Sequence, residues 1–224
     1  MFKTQADLVR TLMETTKGSF AKSLGIDLCS SDSTEIFKWF LAAILYGARL
    51  PEEIARRTFQ TFDRDGVICP RRILNTGWEG LVRLLDEGGY ARYDFKTATK
   101  LLEMAGALEN NYGGDLNRLH DLSRDRVDLE KRLQFLAKGI GQVTTNIFLR
   151  EMRGIWEKAD PIPGDLCIEA ARELGFISRK WRSPEKILWE LKLLWQAHRI
   201  PGLNFSDFEA ALVRQGIQRR RKKK

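Results

Sequence analysis

The feature of this chain that most constrains its fold is the recurrence of apolar residues at helical spacing along nearly its whole length. The segment 36–45 shows this spacing after a capping-box pattern at Asp32 and Glu35, and the segment 94–108 shows it before the glycine pair 113–114. No run of residues alternates apolar with polar side chains as a half-buried strand would. We therefore predict an all-α protein of about ten to twelve helices joined by short loops.

Glycines, prolines and capping residues predict where individual helices begin and end. The predicted helices that bear on the site or on the ends of the chain are 5–17, 78–86, 144–156, 163–174 and 206–216. The six basic residues 219–224 follow the last helix and account for most of the formal net charge of +8. They are either a solvated, disordered end or a segment that binds phosphates.

The composition excludes several classes of protein. With 43% hydrophobic residues in a length of 224, the chain can bury the core of one or two domains. No apolar stretch is long enough for a membrane span, and the first residues lack the apolar segment of a secretory signal, so we expect an intracellular protein. Cys29, Cys69 and Cys167 are too few and too far apart for a disulfide framework or an iron–sulfur cluster, and they predict free thiols. Because there are only two histidines, we expect no metal site.

The segment 136–149 carries the most informative motif of the chain, two short helices joined by a Gly-Ile-Gly turn. Gly139 and Gly141 flank Ile140, and glycine permits both a positive φ and the close approach of a phosphate. The helix that follows offers unpaired N–H groups and the positive end of its dipole to an anion. We expect the DNA backbone to contact the two glycines together with Lys138, Gln142, Thr144 and Thr145. An ordinary helical hairpin with a glycine turn is the alternative.

The segment Pro163–Asp165 places one carboxylate beyond the second helix of the hairpin. A carboxylate beside a deoxyribose stabilises the positive charge that develops when the bond to the base breaks. Asp165, at the start of a predicted helix, could do this, or it could simply cap that helix. Asp160, in the same loop, is the second candidate for the active carboxylate.

At these two segments the chain resembles the helix-hairpin-helix DNA glycosylase superfamily, the endonuclease III-like repair enzymes. The hairpin is similar to the family pattern Leu-Pro-Gly-Val-Gly-x-x-Thr-Ala, with one extra residue before the first glycine, and Asp165–Ile168 is similar to the Asp-x-x-Ile that carries the essential aspartate. The resemblance extends over about residues 33–216. It implies a six-helix domain at 33–149, a second helical lobe from 1–32 and 150–218, and a cleft between the lobes that receives the flipped base.

The resemblance also implies the partner and the chemistry. The partner would be double-stranded DNA with a lesion or mismatch, the protein would be a monomer, and a monovalent cation could bind at the hairpin, while the iron–sulfur cluster of many relatives is missing. Asp165 would be the catalytic carboxylate. Where bifunctional members carry the lysine nucleophile, this chain has Val143, so we expect a monofunctional enzyme that uses water. Whether another lysine supplies lyase activity is left open.

Base flipping requires side chains that fill the gap in the duplex and cations that hold its backbone. The candidates for the gap are Tyr90, Arg92, Tyr93 and Arg49, and those for the backbone are Lys96, Lys138, Arg150 and Arg153. Two alternatives remain: a non-catalytic helix-hairpin-helix DNA-binding protein, and an all-α protein-interaction domain without a role on DNA. The residues do not identify the lesion.

Overall fold

A computed structural model describes residues 4–16, 18–48 and 50–222 of the chain. In these residues all regular structure is helical, which confirms the predicted all-α class. A 3-10 turn lies at Leu28–Ser30. The α-helices of the described residues are α1 (Gln5–Glu14), α2 (Phe20–Ser23), α3 (Ser33–Tyr46), α4 (Glu52–Arg64), α5 (Pro70–Gly88), α6 (Asp94–Tyr112), α7 (Leu116–Asp121), α8 (Arg126–Phe135), α9 (Gln142–Glu151), α10 (Asp165–Glu173), α11 (Pro184–Ala197) and α12 (Phe205–Lys222).

The chain divides into two compact units, of which one is formed by residues 26–159. Its centre is α3, which is buried over most of its length and packs against α4, α7 and α9. The Trp39 indole N–H donates to the carbonyl of Phe148 at 3.1 Å, and the Phe148 ring meets Phe40 edge-on at 4.9 Å. These contacts fix the helix that leaves the glycine turn against the most buried helix of the unit.

The other compact unit is formed by residues 1–25 and 160–224. Its long C-terminal helix, α12, packs against α10, α1 and α11. The ring of Phe208 is fully buried and stacks on Trp195 at 5.4 Å, and Phe176 lies 6.0 Å away. A single aromatic cluster therefore joins α11 and α12 to the chain that follows α10.

Several predicted helix limits are wrong by a few residues. The first helix ends at Glu14, α9 ends at Glu151, and α10 begins at Asp165, so each is shorter than predicted. The helix predicted at 78–86 is part of the longer α5, which is interrupted by non-helical dihedral angles at Gly77. The last helix does not stop at 216 but continues to Lys222, so the basic residues 219–222 are helical and not a disordered end.

Among the described residues, no helix combines the length and the apolar character that crossing a membrane requires.

Candidate functional site

The predicted hairpin is confirmed: α8 ends at Phe135, α9 begins at Gln142, and a glycine turn joins them. Gly139 has a φ of +89°, which only glycine adopts without strain. Ile140 is buried and donates its N–H to the carbonyl of Ala137 at 3.2 Å, whereas Gly141 is extended and forms the N-cap of α9. The turn thus anchors one apolar side chain in the core and leaves both glycines at the surface.

The first turn of α9 has unsatisfied backbone donors. No side chain caps this helix, and the N–H groups of Gln142, Val143 and Thr144 find no acceptor in the part of the chain that the structure describes. The first such group to be paired is that of Thr145, which donates to Gly141 at 3.1 Å. Unpaired N–H groups and the positive end of the helix dipole together favour an anion at this position.

The predicted threonine contacts are wrong for the side chains. Thr145 is fully buried, and its hydroxyl donates to the carbonyl of Gly141 at 3.1 Å. Thr144 is buried against the C-terminus of α3, where any side chain at Gly47 would collide with the Thr144 hydroxyl oxygen. Neither hydroxyl is therefore available to a phosphate, and what this turn of helix offers is its backbone.

Of the other two predicted contacts of the hairpin, the Gln142 side chain is bonded within the protein, and the Lys138 side chain has no bond within the described residues. The side-chain amide of Gln142 is engaged within the protein, because it donates to Glu130 at 3.3 Å and accepts from Gln134 at 3.0 Å. Lys138 is exposed, and only its backbone N–H is bonded, to a Glu103 carboxylate oxygen at 3.2 Å. The Lys138 side chain thus remains a cation at the surface of the turn.

Sequence reasoning missed Lys100, which lies against the hairpin glycine. A Cβ placed on Gly139 would be 3.1 Å from Lys100 Cε and 3.5 Å from its Nζ. Burial lowers the pKa of this ammonium group, and among the described residues it has no hydrogen bond and no ion pair. A half-buried cation without a counter-ion therefore lies beside the anion-attracting turn. In the sequence Lys100 is only a helical lysine four residues after Lys96, a position that ordinarily faces solvent.

The predicted wedge residues separate into different environments. Tyr90 is 1% exposed, its hydroxyl donates to the carbonyl of Leu45 at 3.0 Å, and burial raises the pKa of its phenol. The wedge role predicted for Tyr90 is therefore wrong. Arg92 is exposed, and its guanidinium lies 5.6 Å from the centre of the half-buried Tyr93 ring. Arg49 lies outside the described residues.

The predicted backbone cations are likewise only partly accessible. Arg150 is 4% exposed and lies 3.7 Å from the equally buried Glu151, so its predicted contact with DNA is wrong. Arg153 is half-buried, whereas Lys96 is exposed. Val143, at the position where the family resemblance places a lysine, is 64% exposed and presents only an apolar side chain.

Asp165 is exposed at the first position of α10. The N-cap of that helix is Gly164, and no side chain accepts a hydrogen bond from its first turn, so Asp165 does not act as the capping residue. Its carboxylate acts on Arg220, whose pKa is raised mainly by Glu169 and to a smaller extent by Asp165. Asp160 differs, because its carboxylate accepts from the Lys192 ammonium at 2.8 Å.

Cys29, Cys69 and Cys167 form no disulfide with one another, and of the three only Cys167 is buried. Within the described residues no group of three or more histidine, cysteine, aspartate or glutamate side chains could hold a metal ion. No protein-family model and no curated protein matches the chain.

Proposed function

We propose that this chain is a monofunctional DNA glycosylase, which flips a damaged or mismatched base out of duplex DNA and hydrolyses its N-glycosidic bond. The observation that carries the proposal is the glycine turn at 139–141, where three backbone N–H groups without an acceptor open α9 at the surface. Such a turn can bind a phosphate of the DNA backbone, and this contact does not depend on the base sequence.

The hairpin would hold the strand through its backbone and through two lysines. Gly141 is extended and has no heavy atom near its Cβ position, so a phosphate oxygen can approach the first turn of α9 closely. Lys138 projects from the turn, and Lys100 places a cation against Gly139. A phosphate would supply the counter-ion that Lys100 lacks and would compensate the cost of its burial.

Asp165 would supply the chemistry at the sugar. In the reaction the bond between C1′ and the base nitrogen breaks, and its electron pair leaves with the base, which takes up a proton. The Asp165 carboxylate stabilises the positive charge left on the deoxyribose and accepts a proton from the water that adds to C1′. At the start of α10 its carboxylate has no hydrogen bond within the described residues, so both oxygens are available for this role.

The residue at position 143 of the hairpin determines the expected products. A lysine amine there would form a Schiff base with the sugar, but Val143 has no nucleophilic atom. Water therefore remains the nucleophile, and the product is an abasic site in an unbroken strand. Arg92 and Tyr93, at the turn before α6, are the candidates for filling the gap that the flipped base leaves.

The test uses duplexes that carry uracil, an alkylated purine, hypoxanthine or oxidised guanine, which are incubated with the protein and then treated with hot alkali. We expect strand breaks on at least one lesion only after alkali. They should disappear with Asp165→Asn and persist with Asp160→Asn, a matched control whose surface ion pair contributes little to stability.

Each other outcome contradicts part of the proposal. Breaks without alkali that are trapped by borohydride would indicate a lyase with a lysine nucleophile. Tight binding without breaks on any lesion would indicate a non-catalytic DNA-binding protein. Absence of salt-sensitive DNA binding would refute a role on DNA altogether.

A further inference from the structure

The net positive charge of the chain belongs to one of its two compact units. Residues 1–25 and 160–224 contain 18 lysines and arginines against 10 aspartates and glutamates, whereas residues 26–159 contain 20 of each. The whole net charge of +8 therefore belongs to the unit that carries Asp165, and the unit that carries the hairpin is neutral. A neutral unit with a few phosphate contacts does not by itself give strong attraction to a polyanion.

The loop 178–183 is one of two basic segments in this unit. Arg179, Lys180 and Arg182 are all exposed, and none of them forms an ion pair within the described residues. The loop is nevertheless fixed in place, because Arg172 of α10 donates to the carbonyl of Trp181 at 2.8 Å. Three free cations are thus held on an ordered loop at the C-terminal end of α10.

The last turns of α12 are the second basic segment, and they are tied to the same helix. Arg219 pairs with Glu173, and Arg220 donates to Glu169 at 2.9 Å. These two arginines hold α12 along α10. The next two residues, Arg221 and Lys222, are exposed and have no ion pair in the described part of the chain.

The two segments meet at one helix. Residues 169, 172 and 173 of α10 lie within about one turn of each other, and between them they hold both the loop and the end of α12. The five free cations at 179, 180, 182, 221 and 222 therefore form one surface, which we call the α10 basic surface. Asp165 lies at the start of α10, and the α10 residues that hold the surface follow it by four to eight positions, about 6–12 Å along the helix axis.

We propose that the α10 basic surface is the principal phosphate-binding surface for duplex DNA, and that it delivers the strand to Asp165. This inference rests on the function proposed above. A distance of about 6–12 Å corresponds to about two to four nucleotides along one strand, since the duplex rises about 3.4 Å per nucleotide. A strand whose phosphates lie on this surface can therefore place a nearby sugar at Asp165.

The composition of the surface favours a nucleic acid over a membrane. Its free residues are all arginine or lysine, and the one aromatic residue of the loop, Trp181, is half-buried with the Lys186 ammonium 4.8 Å from its ring centre. Membrane-surface binding usually adds exposed apolar side chains that enter the headgroup region. In the loop the only apolar side chain is Trp181, and because it is half-buried the exposed side chains are charged or polar.

The experiment compares two triple variants that remove the same charge. Arg179→Gln, Lys180→Gln and Arg182→Gln are combined in the first, and the control combines Arg71→Gln, Arg72→Gln and Arg83→Gln, which are exposed residues of the neutral unit without ion pairs. Binding of the full chain to an undamaged duplex is measured by fluorescence anisotropy between 50 and 200 mM salt, a range over which phosphate contacts change affinity by orders of magnitude.

We expect the loop variant to make the slope of log K against log salt less negative by about 2 to 3, since each lost phosphate contact removes about 0.9. The control should keep the slope of the unaltered chain, and circular dichroism should show both variants folded. An equal change in both variants would overturn the proposal, because net charge alone would then explain binding. A second result would also overturn the proposal: the loop variant loses binding to phosphatidylserine vesicles but keeps the salt slope of DNA binding. The surface would then bind a membrane instead of DNA.

This result can be separated from a failure of the proposed function. If the unaltered chain excises a base in an Asp165-dependent manner but the loop variant keeps its slope, only the α10 basic surface is wrong. If the unaltered chain shows no salt-dependent DNA binding, both proposals are wrong.

Discussion

Replacing each hairpin glycine by alanine tests whether the turn has the geometry described. At Gly139 the φ of +89° disfavours any L residue, and a new Cβ would also meet Lys100 Cε at 3.1 Å. At Gly141 the φ is −109° and nothing lies within 4 Å of the Cβ position. The two substitutions are chemically identical and differ only in the local backbone and space.

The expected magnitudes follow from these differences. Gly139→Ala should lower the free energy of unfolding by about 1–2 kcal/mol, the cost of a left-handed conformation for a residue with a Cβ. In a chain of this length that loss lowers the thermal midpoint by about 2–8 °C. Gly141→Ala should leave the midpoint unchanged or raise it slightly, because alanine reduces the entropy of the unfolded chain.

The assay is thermal unfolding followed by circular dichroism, with DNA affinity measured on the same samples. If the proposed contact forms, Gly141→Ala should weaken DNA binding although it does not destabilise the protein, because the added methyl group would meet a phosphate at the turn. Equal thermal midpoints for the two variants would refute the geometry of the turn. Unchanged DNA affinity in Gly141→Ala would refute the contact between this turn and the DNA backbone.

Two further substitutions test the environment of the hairpin. Lys100→Met should raise the free energy of unfolding at neutral pH, because it removes a partly desolvated charge. It should also make the salt slope of DNA binding less negative by about 1, because the proposed phosphate contact of Lys100 would be lost. The gain in stability should shrink as the pH rises from the lowered pKa of Lys100 towards the ordinary value of 10.5, because the unfolded chain also loses the proton there. Lys96 is exposed, so Lys96→Met should not raise the free energy of unfolding, and an equal gain in that variant would contradict the account. Trp39→Phe should lower the free energy of unfolding in urea by about 2–4 kcal/mol, because it leaves a gap and an unpaired carbonyl at Phe148. The control Trp189→Phe changes a side chain that is 58% exposed, so the free energy of unfolding should change by no more than about 0.5 kcal/mol. Similar losses in both tryptophan variants would contradict the packing of α9 on α3.

Local patterns predicted the class of fold and the hairpin because their physical causes are local. Helical spacing of apolar residues, glycine at a turn and a capping side chain act within a few residues. Asp32 caps α3 as its sequence context predicts, since it accepts from the N–H of Glu35 at 3.2 Å. The reciprocal half of the capping box is not formed, because the Glu35 carboxylate instead accepts from the N–H of Asp27 at 2.8 Å.

Accessibility of the site residues could not be read from the sequence, because it depends on which face of each helix packs. Tyr90 stands in a turn that looks suited to a wedge, yet its hydroxyl is bonded to the end of α3. Thr145 follows a glycine turn, yet it faces the core, and Arg150 is buried beside Glu151. For Tyr90 the deciding contact is with Leu45, 45 positions away in the chain.

The same reason explains the residues that sequence reasoning missed. Lys100 reaches Gly139 only because α6 packs beneath the hairpin turn, and the two positions are far apart in the chain. The sequence of the loop after α10 is typical of an ordinary polar connection. It does not predict that Arg172 donates to the carbonyl of Trp181 and fixes the loop in place. The sequence did indicate that the basic end of the chain could bind phosphates, but it did not predict that residues 219–222 are helical or that Arg219 and Arg220 pair with Glu173 and Glu169.

The central claim is that Asp165 assists hydrolysis of a bond between a base and its sugar. The most direct measurement is mass spectrometry of single-turnover reactions on the lesion duplexes, which identifies both the released base and the abasic strand. The account predicts one free base, an unbroken strand lighter by that base and heavier by water, and loss of both products in Asp165→Asn. Intact strands on every lesion, or equal base release by Asp165→Asn and the unaltered chain, would contradict it.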